Sequence, residues 1–115
     1  MGYFSDLDLI RVEEFSEIVD KLKSLYVEKN RRYDDAFHKQ YAEMGIQSAI
    51  MRLNDKMLRL KTVSKTANDF GDETLEDTLI DLANYSIMTL MELERLNTKN
   101  ESEVDCFEQE KPKTF

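Results

Sequence analysis

Residues 72–97 read DETLEDTLIDLANYSIMTLMELERLN, and this stretch decides the fold. Leu75, Leu79, Leu82, Ala83, Ser86, Leu90 and Leu93 recur in steps of one, three and four, the spacing that gathers side chains on one side of a helix. The pattern predicts a helix over about 73–97, with this leucine-rich row as its main buried stripe and Asp72 or Thr74 as its cap.

Upstream, TANDFGD at 66–72 reads as a loop broken at Gly71. A second helix is expected to start after Gly45 and run to about residue 65, because Ile46, Ala49, Ile50, Leu53, Met57 and Leu60 share one face. A third long segment, about 9–32, carries Phe15, Ile18, Val19, Leu22, Leu25 and Tyr26 on one stripe. Glu13, Glu14, Glu17, Asp20, Lys21 and Lys23 stand between them as a solvated face. Asp34–Asp35 suggest an end near Tyr33. From residue 98 the pattern stops. The tail is polar, holds the only proline, Pro112, and is left without assigned structure or as an arm that orders on a partner, with Phe107 and Phe115 as its apolar features. The expected organisation is an all-α domain of three long helices over 1–97 and a polar tail over 98–115.

One domain suits 115 residues. One Pro and three Gly are too few turn formers for an all-β sandwich or barrel. Sixteen Lys and Arg against 24 Asp and Glu leave a formal charge of -8, a poor fit to duplex nucleic acid. A small anion remains compatible, since it reads local charge. A single cysteine, Cys106, and a single histidine, His38, exclude an internal disulfide and a Cys/His zinc site; His38 reads as a loop side chain. No apolar run of about 18 residues is present to span a membrane, and the first eight residues lack signal-peptide character. The expectation is a soluble protein of a reducing compartment. Apolar residues outside the stripes (Met51, Leu58, Ile87, Met91) exceed what three helices can cover, which predicts a homo-oligomer.

Two charged rows border the apolar ones. Arg52, Asp55, Lys56 and Arg59 fall within a face about 100° wide on the middle helix, and Glu73, Asp77, Asp81 and Asn84 fall together on the last. Farther along, the acidic face becomes apolar (Ile80, Ile87, Met88, Met91), so its carboxylates are expected to be partly buried and to need partners. Three readings stand. The rows pair with each other across the helices. Alternatively Asp55, Glu73, Asp77 and Asp81 hold Mg²⁺ while Arg52, Lys56 and Arg59 grip phosphates. In a local reading, Thr74 and Asp77 form a capping box, a role that does not extend to Asp81. Tyr33, Phe37 and Tyr41, spaced by four, and Tyr85 beside Asn84 either stack on a base or form a packing ridge.

Three segments carry a resemblance. EKNRRYDDAF at 28–37 is similar to K-N-x-D-Y-G-x-x-F, RLNDKMLRL at 52–60 to R-L-x-D-K-x-x-R-L, and DETLEDTLIDLANY at 72–85 to D-E-S-x-x-D-T-L-x-D-L-A-N-Y. In that order, over roughly residues 15–96, they resemble the nucleotide-modification-associated domain of the first type. That is a small helical family common in phages and prophages of Gram-positive bacteria, thought to be similar to the all-α MazG-like nucleotide pyrophosphatases. The resemblance implies a MazG-like helical bundle completed by oligomerisation, in the cytoplasm of a bacterial host, with no membrane partner.

Its implied function is a Mg²⁺-dependent pyrophosphatase acting on (d)NTPs or related nucleotides. Asp77 and Asp81 would be metal ligands, and Asp55 and Glu73 catalytic. Lys29, Asn30, Tyr33, Phe37, Arg52, Lys56, Arg59, Asn84 and Tyr85 would bind the nucleotide. The alternative is a non-catalytic anti-defence protein that sequesters a nucleotide immune signal. The chain departs from these patterns at Arg32, where Asp is expected, at Asp34, where Gly is expected, and in offering only Asp55 where MazG-type enzymes carry E-x-x-E.

Overall fold

The computed structural model describes residues 5–66 and 74–104. Their regular structure is helical: α1 (Asp6–Arg32), α2 (Ala36–Met44), α3 (Ile46–Thr66) and α4 (Leu75–Val104). Four helices stand where three were expected, α2 being the addition. α4 also continues to Val104, past the point where the sequence pattern stops. Asp72, Glu73 and the tail residues Cys106, Phe107, Pro112 and Phe115 lie outside the described residues.

Local chemistry sets the boundaries. At the start of α1 the Asp8 N–H donates to the Ser5 hydroxyl (3.1 Å) and the Ser5 N–H donates to the Asp8 carboxylate (3.2 Å), a reciprocal cap. α1 ends where Asp34 and Asp35 adopt left-handed backbone, with φ of 56° and 58°. Those two residues turn the chain, and α2 begins at once. Asp is among the few residues besides Gly that tolerate this conformation, so the turn forms although Asp34 replaces the Gly of the family pattern. Gly45 (φ 76°) then separates α2 from α3. α4 opens on a second reciprocal cap: the Asp77 N–H donates to the Thr74 hydroxyl (3.0 Å), and the Thr74 N–H to the Asp77 carboxylate (3.3 Å).

α3 and α4 run antiparallel, since Lys56 meets Asp81 and the earlier Arg52 meets the later Tyr85. α1 joins α4 through Lys21–Glu76 (2.7 Å), Lys29–Asp81 (2.9 Å) and an Asn84 Nδ2 donation to the Leu22 carbonyl (3.3 Å). α2 lies against α3 and α4. Its His38, helical rather than in a loop, places Nδ1 2.9 and 3.0 Å from the two oxygens of the buried Glu92.

The packing corrects one expectation. Leu75, Leu79 and Leu90, the core of the expected buried stripe, are 43%, 47% and 51% exposed. The side of α4 turned inward is polar: Thr78, Asn84, Thr89 and Glu92 are buried. It can be buried because its groups are satisfied locally. The Thr78 and Thr89 hydroxyls donate to the carbonyls of Thr74 (3.1 Å) and Tyr85 (2.7 Å) one turn back, and Asn84 and Glu92 have the partners given above. Among the described residues the buried apolar side chains are Leu22, Phe37 and Ala49. The radius of gyration is 18.2 Å, against roughly 13 Å for a compact domain of this size.

Asp35→Val places a β-branched side chain at φ 58°. The expected outcome is a loss of about 1–2 kcal/mol of stability, with Asp35→Gly at or above the wild type, measured by urea denaturation at equal protein concentration.

Candidate ligand cavity

A cavity of about 410 Å³ opens between the four helices, within the roughly 300–1,000 Å³ typical of small-molecule sites. α1 contributes Tyr26, Lys29 and Asn30, its C-terminal end Tyr33, and α2 Ala36 and Phe37. α3 contributes Arg52 and Lys56, and α4 contributes Asp81, Asn84, Tyr85 and Met88. The helical period explains the set. Lys29, Asn30 and Tyr33 follow one side of α1, Arg52 and Lys56 are one turn apart on α3, and Asp81, Asn84, Tyr85 and Met88 line one side of α4.

Asp81 lies between two ammonium groups, with Lys56 Nζ 2.8 Å from one carboxylate oxygen and Lys29 Nζ 2.9 Å from the other. Burial pushes the Asp81 carboxyl up, but the hydrogen bonds and charges of Lys56 and Lys29 more than reverse this and hold it below its ordinary 3.8. Among the described residues the cavity is lined by three cations and one carboxylate, in a chain of net charge -8.

Arg52 is held without being neutralised. Its Nε and Nη2 donate to the Gln40 amide oxygen at 3.0 and 2.7 Å, and its Nη1 to the Tyr85 hydroxyl at 3.4 Å. The guanidinium carbon lies 5.7 Å from the ring centroids of both Phe37 and Tyr85, within cation–π range. Phe37 is stacked with Tyr85 (5.9 Å, 20°) and Tyr41 (6.4 Å, 24°). Of the five guanidinium N–H donors, two have no acceptor among the described residues, and none of the acceptors used is charged.

The cavity brings together Lys29, Asn30, Tyr33, Phe37, Arg52, Lys56, Asn84 and Tyr85 from the expected nucleotide-binding set, with Asp81 from the expected metal set. The others lie elsewhere. Asp77 serves the α4 cap. Asp55 lines a separate depression with Met44, Met51 and Leu58. Arg59 does not line the cavity, and Glu73 is outside the described residues. Among the described residues no group of three or more His, Cys, Asp or Glu side chains is placed to hold a metal ion. Sequence reasoning missed Gln40, which orients Arg52 from another helix and carries no signal in the sequence. It also missed the placement of Tyr26 and Met88, which their periodicity assigned only to apolar faces.

Residues 29–93 match the family described as Nucleotide modification associated domain 1. The chain belongs to that family. Every cavity residue except Tyr26 lies inside the matched segment. No curated protein and no solved structure matches the chain. No helix among the described residues is long and apolar enough to cross a membrane.

Because the folded Asp81 carboxyl titrates below its unfolded value, its ion pairs stabilise the fold above the unfolded value, and that contribution is lost as pH falls through the folded value. Asp81→Asn is therefore expected to lower the melting temperature at neutral pH. The difference from wild type should shrink as pH falls below about 4, as read by thermal unfolding across a pH series.

Proposed function

We propose that this member of the nucleotide modification associated domain 1 family binds a phosphorylated nucleoside in the cavity and holds it without cleaving it. The observation that carries this reading is Arg52, a guanidinium fixed by a neutral amide and two aromatic rings, with two donors that have no acceptor among the described residues. An anion supplies the missing acceptors, and phosphate fits the planar fork. Lys29 and Lys56, which share Asp81, extend the polar side of the cavity. Tyr33, 60% exposed at the cavity edge, offers a face for a base. Asn30 and Asn84 offer amide groups for hydrogen bonds to base or sugar.

The hydrolytic alternative implied by the resemblance to MazG-like enzymes requires carboxylates free to hold Mg²⁺. Asp81 is shared by two lysines, Asp77 caps α4 and Asp55 lies in another depression. This described set does not fit a resident metal. Retention of an intact nucleotide is the reading these contacts favour, as expected of a protein that sequesters a nucleotide signal.

The test is calorimetric titration of the full chain with the four common dNTPs, the matching monophosphates and ADP-ribose, with and without Mg²⁺, followed by heat release and chromatography of the bound nucleotide. Binding of at least one of them and its recovery intact are expected. Arg52→Gln should weaken that binding at least about tenfold, and Arg52→Lys should restore only part, since a point charge replaces a fork. Absence of binding by any of them to the folded protein overturns the reading. Release of pyrophosphate in the presence of Mg²⁺ replaces it with the hydrolytic one.

A further inference from the structure

We infer that His38 is a positioning residue for Arg52. Protonated and paired with the buried Glu92, it seats α2 against α4, and α2 in turn fixes Gln40 and Phe37 on the Arg52 guanidinium, so that the affinity of the cavity follows the charge on His38. The affinity rests on the reading of the cavity given above; the link from His38 to Arg52 does not.

The Glu92 side chain is 7% exposed, and a carboxylate at that depth needs a counter-charge. Two cationic groups face it. Arg95, one turn farther along α4, places Nη2 at 3.8 Å from a side chain that is 57% exposed, a pair that solvent weakens. His38, from α2, places Nδ1 at 3.0 and 2.9 Å from the two carboxylate oxygens. Among the described residues no other ionisable side chain is paired with His38. On its own helix the neighbouring Lys39 is paired with Asp34 (2.8 Å). The Glu92 contact therefore has two strengths. A neutral imidazole gives it one hydrogen bond, whereas an imidazolium gives a charge-assisted one together with the counter-charge. Histidine ordinarily passes between these forms near pH 6.5, and the His38 side chain, 34% exposed, is open to proton exchange with water.

α2 transmits the difference to the cavity. It has nine residues, and its start has no side-chain cap. A helix that short has little stability of its own and sits where its contacts hold it. Phe37 precedes His38 and Gln40 follows it by two positions, so the three share one turn. Phe37 is stacked on Tyr85 of α4, with 5.9 Å between ring centroids, and the Gln40 amide oxygen accepts from Arg52 at 3.0 and 2.7 Å. Such hydrogen bonds depend steeply on length and angle, so a looser α2 releases Arg52 from its orientation. An anion that needs the oriented guanidinium favours the seated α2, and the seated α2 favours the proton on His38. The coupling is reciprocal: the proton strengthens ligand binding, and the bound ligand holds the proton more tightly. Affinity is therefore full below the His38 titration and falls as pH rises through it.

His38 is the only histidine of the chain, so a single imidazole reports it in ¹H–¹⁵N spectra. That signal and the Arg52 Nε–H signal, assigned by its loss in Arg52→Gln, are followed across the histidine range in the free protein. The Arg52 signal is expected to move with the His38 midpoint and to lose that dependence in His38→Gln. Calorimetric titrations with ADP-ribose and with dATP are compared at about pH 5.5 and 8, on either side of the histidine range. From the lower to the higher pH, wild type is expected to lose at least about fivefold more affinity than His38→Gln does, a comparison that cancels the ionisation of the nucleotide itself. In wild type the His38 midpoint should also rise when nucleotide is bound. A contact that only stabilises the fold would lower the melting temperature of His38→Gln and move none of these. An Arg52 signal that ignores the His38 titration, or that keeps following pH in His38→Gln, overturns the inference, as does a His38 midpoint that is the same with and without bound nucleotide. Failure of both nucleotides to bind the folded protein counts against the cavity reading and removes the affinity claim, while the Arg52 signal still decides whether His38 positions it.

Discussion

The Asp81 carboxylate is where three helices meet. It sits on α4, accepts from Lys56 of α3 through one oxygen and from Lys29 of α1 through the other. Without it, two ammonium groups would face each other in a half-buried space at a cost that low dielectric makes large. With it, the helices close around a cavity whose described lining holds three cations and this one carboxylate. The same contact thus joins the fold and shapes the site.

Arg52 shows a different arrangement. A carboxylate partner would hold it equally well but cancel its charge. Gln40 holds it by hydrogen bonds alone, and the Phe37 and Tyr85 rings stabilise the cation through their faces. The guanidinium therefore arrives oriented and still charged, with less ordering left to occur when an anion binds. α2 supplies both Gln40 and Phe37, so this short helix, kept in place by the His38–Glu92 contact, builds one wall of the cavity and orients its principal cation.

The behaviour of α4 separates two meanings of an apolar stripe. Periodicity identifies a face that is unfavourable in water, but not whether the same chain covers it. Here the opposite face is polar and was free to turn inward because Thr78 and Thr89 satisfy themselves on their own helix while Asn84, Asp81 and Glu92 find partners on α1, α2 and α3. The resulting single chain buries little apolar surface, and its leucines remain where another molecule can reach them.

The sequence by itself determined that the chain is helical, where α3 begins and α1 ends, that Thr74 and Asp77 could cap the last helix, and which family the motifs at 28–37, 52–60 and 72–85 resemble. These follow from spacing along the chain, a local property. α2 was illegible because the aspartates before it enter left-handed backbone without a Gly or Pro to mark the turn. Gln40 at Arg52, Glu92 at His38, the sharing of Asp81 between two lysines, and the inward turn of the polar side of α4 were decided only by tertiary structure. Each depends on which helices become neighbours and at what rotation, and a one-dimensional period leaves that rotation open.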